Sequence, residues 1–232
     1  MNLFNLNKDR VFADDATVHM EAREVAPGLS SPIERHRDSD VAMLFFEGQG
    51  EVRVADRVHA FKAVQFAYAR SGTAFQLRNT GAAKLRYLIA VCPPGRSENP
   101  RSLDPKGGPG GVTVLKVDQY DRIPDSGSVR GGMFFQEPGG VIPQLTQDES
   151  TKIFVVLKGE CELTVGDVTK RVVPGDVIVI PQQVTHRLRN PGAEKLAMWV
   201  TVTPNTSPSH TRYEQQTDGS WKRVTPRADG SF

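Results

Sequence analysis

The residues with the most chemistry to offer lie in the second half of the sequence, at His186 and Lys152, with Gln147, Asp148 and Gln183 in the same stretches. An imidazole titrates near neutrality, so His186 can take or give a proton under ordinary conditions. A lysine amine is a cation in water. Denied solvent, it gives up its proton more readily and becomes a base or a nucleophile toward a carbonyl. Gln147, Asp148 and Gln183 can hydrogen-bond a small polar ligand. In the first half, Glu34 and His36 stand two residues apart, a spacing that puts both on one side of a strand. Each of these has an inert alternative. His186 can be satisfied by a neighbouring hydroxyl or carbonyl, Lys152 can pair with Asp148 or Glu149, and Glu34 and His36 can lie on a solvated strand beside Arg35 and Arg37. His19, His59 and His210 show no partner pattern. The elements that carry these residues decide between the readings.

The chain has 232 residues, 29 of them basic and 27 acidic, for a formal net charge of +2. That balance argues against a surface built to coat nucleic acid or an anionic membrane. Its apolar runs are far short of the ~18 residues that a membrane-spanning helix requires. The opening MNLFNLNKDR places Lys8, Asp9 and Arg10 where the apolar stretch of a signal peptide would run. With only Cys92 and Cys161, a disulfide scaffold is excluded, and a cytoplasmic protein with reduced thiols is expected.

Shifted by 111 residues, the second half of the sequence falls on the first. Pro27-Gly28 meets Pro138-Gly139, Gly48 meets Gly159, and LRNTGAAKL from Leu77 meets LRNPGAEKL from Leu188, with no gap between Pro27 and Pro93. The chain is a duplication. The segment between the copies is dense in Pro, Gly and charge and reads as a linker. The expected division is a first unit over 1–93, a linker over 94–111, a second unit over 112–204, and a polar tail over 205–232. In that tail, Asp218-Gly219 can turn the chain and Trp221 can dock on the body of the protein or on a partner. Each copy is a series of short β-rich runs: MLFFEGQGEVRV and FVVLKGECELTV are hairpins around a Gly-containing turn, and GDVIVIP is too short for a helix. No amphipathic helical window stands out, so the fold class is all-β, with two antiparallel barrels that remove sheet edges by closure.

These motifs resemble the cupin superfamily, and the duplication makes the chain similar to a bicupin. The family's second motif runs Gly, five residues, Pro, one residue, Gly, two residues, His, three residues, Asn. GDVIVIPQQVTHRLRN supplies Gly175, Pro181, His186 and Asn190 in that frame, with Gln183 in the glycine position. The first copy keeps Gly72 and Asn79 but has Phe75 in the histidine position. PGLSSPIERHRDSDVAMLFFEG and PGGVIPQLTQDESTKIFVVLKG follow the frame of the first motif. The resemblance implies two tandem jelly-roll barrels, also called double-stranded β-helices. In typical members a His-x-His pair and a Glu from the first motif join the second motif's His around Fe, Mn, Ni or Zn. On this sequence those four places are Glu34, His36, Val41 and Phe75 in the first copy, and Leu145, Gln147, Lys152 and His186 in the second. Degenerate in this way, the motifs imply no tightly bound metal cofactor.

Phe75, Phe66 and Tyr68 are then expected to fill the first barrel, and a polar chamber is expected in the second. The function implied is binding of a small organic metabolite there, with Gln147, Asp148 and Gln183 contacting it. Any chemistry is of the isomerase or cyclase type, with His186 transferring a proton and Lys152 stabilising developing negative charge. The alternatives are a metal-dependent dioxygenase, decarboxylase or isomerase with an altered ligand set, and a non-catalytic binding or structural cupin. Expected partners are a small molecule, no nucleic acid and no membrane, with the chain monomeric or homodimeric.

Overall fold

The computed structural model describes residues 1–94, 112–116, 122–123, 128–206 and 210–224. Nearly all of the expected linker lies outside these residues, as does the end of the tail. The described residues form strands, turns and bends, and none of their segments is a helix long and apolar enough to cross a membrane.

The first copy runs β1 (Asn2–Asn5), β2 (Val11–Asp14), β3 (His19–Val25), β4 (Glu34–Arg35), β5 (Asp40–Glu47), β6 (Gln49–Val54), β7 (Arg57–Lys62), β8 (Gln65–Ala69), β9 (Ala74–Asn79) and β10 (Leu85–Cys92). The second repeats that order as β11 (Val112–Lys116), β12 (Arg122–Ile123), β13 (Arg130–Gln136), β14 (Val141–Thr146), β15 (Thr151–Lys158), β16 (Cys161–Val165), β17 (Val168–Val172), β18 (Asp176–Ile180), β19 (His186–Arg189) and β20 (Leu196–Thr203). The tail adds β21 (Thr211–Gln215) and β22 (Trp221–Val224).

Backbone geometry repeats with the sequence. Left-handed residues occur at Gly28, Gly48, Ala55, Val64 and Gly72, and again 111 positions on at Gly139, Gly159, Gly166, Gly175 and Gln183. Three of these pairs have a non-glycine residue in one copy, so the shared turn geometry is imposed by the strands on either side and not by glycine alone. Asn79 and Asn190 do equivalent work. The side chain of Asn79 donates to Val25 O and Ala83 O and accepts from Gly81 N; that of Asn190 donates to Gln136 O and Glu194 O and accepts from Gly192 N. Both are fully buried, so each amide pins a turn to a neighbouring strand where no water can replace it.

The four sheets run β17-β16-β19-β14-β21-β22, β1-β18-β15-β20-β13-β12, β11-β8-β5-β10-β3-β2 and β4-β9-β6-β7. Two of them exchange strands. β1 pairs with β18 of the second copy, Asn2 opposite Val179, while β11 pairs with β8 of the first, Thr113 opposite Tyr68. These registers are also 111 positions apart. The spatial units therefore differ from the division by chain order: Asn2–Asn5 completes the second barrel's sheet, and Val112–Lys116 completes the first's. The exchange satisfies the backbone groups of two strand edges that would otherwise be bare.

Side chains alternate across these strands into separate cores. From β5, Val41, Met43 and Phe45 point into the first barrel, where Phe61, Phe75, Leu77, Tyr87 and Ile89 join them. Ala42 and Leu44 point the other way, into a core between the barrels that includes Phe66, Tyr68, Leu88, Ile153, Val155, Val177, Val179 and Trp199. A strand buried on both faces needs an unbroken apolar run, which is what DVAMLFFE and TKIFVVLK supply. Phe75 fills the first barrel as expected, but Phe66 and Tyr68 lie in the core between barrels, because even-numbered residues of β8 face the neighbouring sheet.

Asn79→Ala and Asn190→Ala should each destabilise the protein by about 1–3 kcal/mol, the cost of stranding buried backbone partners. Urea unfolding checks this, and a loss within ~0.5 kcal/mol for both would contradict the pinning role.

Candidate active site in the second barrel

Most of the second barrel's interior is hydrocarbon and not the expected polar chamber: Phe154, Val156, Cys161, Leu163, Val165, Val172, Ile178, Ile180, Leu188, Leu196 and Met198 pack it. Its polar part is confined to one end, where β15 and β19 begin and β14 stops. Leu145 sits directly opposite His186, as Glu34 sits opposite Phe75 in the first copy. On the adjoining sheet, Arg130, Val202, Lys152 and Ile180 form one cross-strand row.

Lys152 and His186 meet at this end. Lys152 Nζ lies 3.2 Å from His186 Nε2, and His186 Nδ1 lies 3.3 Å from Val184 O. A carbonyl can only accept, so Nδ1 carries the ring proton, and Nε2 accepts from the lysine. The Lys152 nitrogen also lies 5.0 Å from the centre of the Phe154 ring, whose edge meets His186. Lys152 therefore turns inward onto an imidazole instead of pairing with Asp148 or Glu149.

Burial and mutual repulsion keep this cluster poor in protons. Lys152 is pushed down to about 7 by desolvation, with the Arg130 charge adding to it. His186 is pushed down to about 3 by desolvation and by Lys152, a charge its bond to Val184 only partly offsets. His210 falls to about 4 through desolvation and the charges of Arg130, Arg212 and Lys152, opposed by Asp148. The imidazole is thus neutral near neutrality, and the lysine is the group that titrates there.

The other expected site residues are placed differently. Gln147 is 2% exposed, and its Oε1 has no hydrogen-bond partner among the described residues. Asp148 accepts from Thr146 and from Thr211, tying β21 to the barrel. Gln183 is exposed at the rim in left-handed backbone, donating its N–H to Gln147 O at 2.7 Å. The glycine position of the motif thus retains its backbone role even when filled by glutamine. Sequence reasoning assigned nothing to Arg130 or His210. The tail hairpin brings His210 in: β21 pairs with β14, and Arg187 lies over the Trp221 ring at 5.5 Å.

In the first copy, Glu34 lies on β4 and His36 just beyond it, with side chains 15% and 28% exposed. Arg23 binds Glu21 at 2.6 Å and Glu34 at 2.7 Å, and His36 Nε2 lies 3.7 Å from Glu34. Glu21, Arg23 and Glu34 line an open cleft of about 430 Å³ with Arg10, Ser31 and Tyr87. Arg23, on a strand well before Glu34, was the missed partner. The two thiols are inert: Cys92 and Cys161 are both buried, and desolvation pushes each up to about 12.

The cupin domain family model matches residues 23–91 and again 132–203. The chain belongs to the cupin family. It is a bicupin, with two family barrels in one chain. No curated protein sequence matches it significantly. Among solved structures it is similar to AerE from Microcystis aeruginosa, at 16% identity and TM-score 0.62 over 83% of this chain and 90% of that one. It is also similar to a salicylate 1,2-dioxygenase from Pseudaminobacter salicylatoxidans, at 13% identity and TM-score 0.65 over 81% and 71% of the two chains. An oxalate decarboxylase from Lactobacillus farciminis, solved as a formate complex, aligns at 12% identity and TM-score 0.64 over 91% and 88%. At these identities the likeness is one of fold.

Cupins commonly hold a divalent metal at the place now occupied by Leu145, Gln147, Lys152 and His186, and these side chains do not fit one. Leu145 has no donor atom, and the accepting nitrogen of His186 is already engaged by Lys152. Lys152 brings a positive charge where a cation would sit. In the first barrel, Val41 and Phe75 leave Glu34 and His36 alone, with Arg23 competing for the carboxylate. Among the described residues, no group of three or more His, Cys, Asp or Glu is placed to hold a metal ion.

The depressed values set the pH dependence of stability. Between about 7 and the ordinary lysine value of 10.5, the unfolded chain holds a proton on Lys152 that the folded chain lacks, so stability rises with pH across that window. His186 and His210 act in the same direction below 6.5, so stability falls on acidification toward about 4. Melting temperatures across pH at fixed ionic strength should show both slopes, and Lys152→Met should flatten the alkaline one. An unchanged alkaline slope in that variant would contradict the burial of the amine.

Proposed function

We propose that this bicupin binds a small organic metabolite at the polar end of its second barrel and, without a resident metal, moves a proton on it. The observation that carries the reading is the 3.2 Å contact between Lys152 and His186 at the place where other cupins hold a cation. Lys152 is the catalytic group in this reading, because it titrates close to neutrality. His186, neutral and fixed by Val184, is a positioning residue that accepts from the amine and orients it. This reverses the roles that the sequence alone suggests. The buried, unpartnered Oε1 of Gln147 is available to a donor on the ligand.

Isomerisation, cyclisation or epimerisation of a carbonyl-bearing metabolite needs no more than a base and a group that stabilises an enolate. The first barrel, filled with hydrocarbon, serves the second through the shared core and the exchanged strands. The reading carries with it a cytoplasmic protein with reduced thiols that meets neither nucleic acid nor membrane and works as a monomer or a homodimer.

Two measurements test it. Protein purified without chelator should contain far less than stoichiometric Fe, Mn, Ni or Zn by elemental analysis. A thermal-shift screen of small carboxylates and carbonyl compounds should yield stabilising ligands whose effect is lost in Lys152→Met, since a ligand that binds only the folded state raises the melting temperature. Near-stoichiometric metal that disappears in His186→Ala would overturn the proposal in favour of a metal-dependent enzyme.

A further inference from the structure

Lys152 is placed to do more than move a proton. A neutral primary amine has two N–H bonds and one lone pair. With one N–H directed at His186 Nε2, the lone pair is left for another partner. As a residue Lys152 is partly exposed, and its contact with His186 places its amine at the polar end of the barrel. Its apolar flank is the Phe154 ring, 5.0 Å away, which offers no competing donor or acceptor.

The surroundings select the charge of the ligand. Arg130 and Lys152 flank Val202 in the same cross-strand row, so both project from one face of the sheet. Arg212 and His210 approach from the tail hairpin, and the charges of Arg130, Arg212 and Lys152 all act on His210. The carboxylate acting on His210 among the described residues, Asp148, accepts from Thr146 and Thr211. Among the described residues this end of the barrel gathers more basic than acidic groups, which favours an anion.

We infer that Lys152 captures the carbonyl carbon of a small 2-oxo carboxylate as an imine, with the Arg130 side of the barrel's polar end facing the carboxylate. The inference rests on the metabolite-binding reading above and names its substrate class. The nitrogen lone pair forms the C–N bond while the carbonyl π pair moves to oxygen. The proton released from nitrogen passes to that oxygen, giving a carbinolamine, while His186 Nε2 holds the nitrogen in place. The remaining N–H proton then passes to the hydroxyl as the C–O bond breaks, so water leaves and the nitrogen electron pair forms the C=N bond. Amine plus 2-oxo acid gives imine plus water, so no oxidant or reductant is consumed. An imine so formed is an electron sink for proton loss at the neighbouring carbon.

The test uses the full chain with pyruvate as the probe and cyanoborohydride to reduce any imine irreversibly. The expected product is one adduct per chain, heavier by pyruvic acid less one oxygen atom, mapped to Lys152 by peptide mass spectrometry. Lys152→Arg, which keeps the charge, should lose it. Arg130→Gln should slow pyruvate labelling about tenfold, the worth of one charge-assisted hydrogen bond, while leaving labelling by uncharged propanal unchanged. Adducts spread over surface lysines such as Lys158 and Lys195, with none favoured at Lys152, would overturn the inference. Equal loss of pyruvate and propanal labelling in Arg130→Gln would overturn the carboxylate assignment. If no adduct forms while small carboxylates still raise the melting temperature in a Lys152-dependent way, imine formation is refuted and the binding reading stands. If neither occurs, both fall.

Discussion

A lysine amine resting on a neutral imidazole is the contact on which the chemistry proposed for this bicupin depends. Either group alone would be unremarkable at the mouth of a barrel. Starved of water, with Arg130 acting on the lysine and the lysine acting on the imidazole, the two form a site basic in composition yet poor in protons near neutrality. A divalent cation in the same place would face the lysine's charge and find the imidazole's lone pair already used. The departure from the usual cupin site is thus a change in the sign of the central charge, achieved without altering the barrel.

That barrel is held in shape by the other copy. The sheets that carry Lys152 and Arg130 bury their outer faces against the first barrel, through Ile153, Val155 and Trp199. The β1 strand from the far end of the chain closes the edge of β18 beside β15. Thr17 of the first copy reaches Thr151, one residue from Lys152, at 2.7 Å, and its carbonyl accepts from Thr203. Copy number here serves positioning: one barrel supplies the polar end, and its twin supplies rigidity from behind. Filling the first barrel with Phe45, Phe61 and Phe75 suits that division, because a packed interior resists deformation.

Much of this was legible before any coordinates. A gapless 111-residue register needs two copies of one structure, and turn glycines together with Asn79 and Asn190 mark where each copy bends. Other features were hidden because they depend on tertiary pairing. No local pattern distinguishes a β1 that stays with its own copy from one that crosses to the other, since the two sheets are near-equivalent. Phe66 and Tyr68 read as barrel filling because alternation identifies two faces without saying which is inside. The Arg23 pair with Glu34 joins β3 to β4 across 11 residues, and the approach of His210 to Lys152 joins the tail to β15; neither leaves a trace in spacing. Motif matching did place Lys152 and His186 in one site. It could not rank the two groups as acids, because that ranking comes from desolvation, which only the packed structure determines.

The most direct measurement of this arrangement is nitrogen NMR of the His186 ring and the Lys152 amine through a pH titration. The account predicts a neutral imidazole protonated on Nδ1 throughout the range in which an ordinary histidine titrates, and an amine that loses its proton near 7. An imidazole titrating as if in water beside a lysine that stays charged well above neutrality would contradict it, as would ring signals displaced by a bound metal ion.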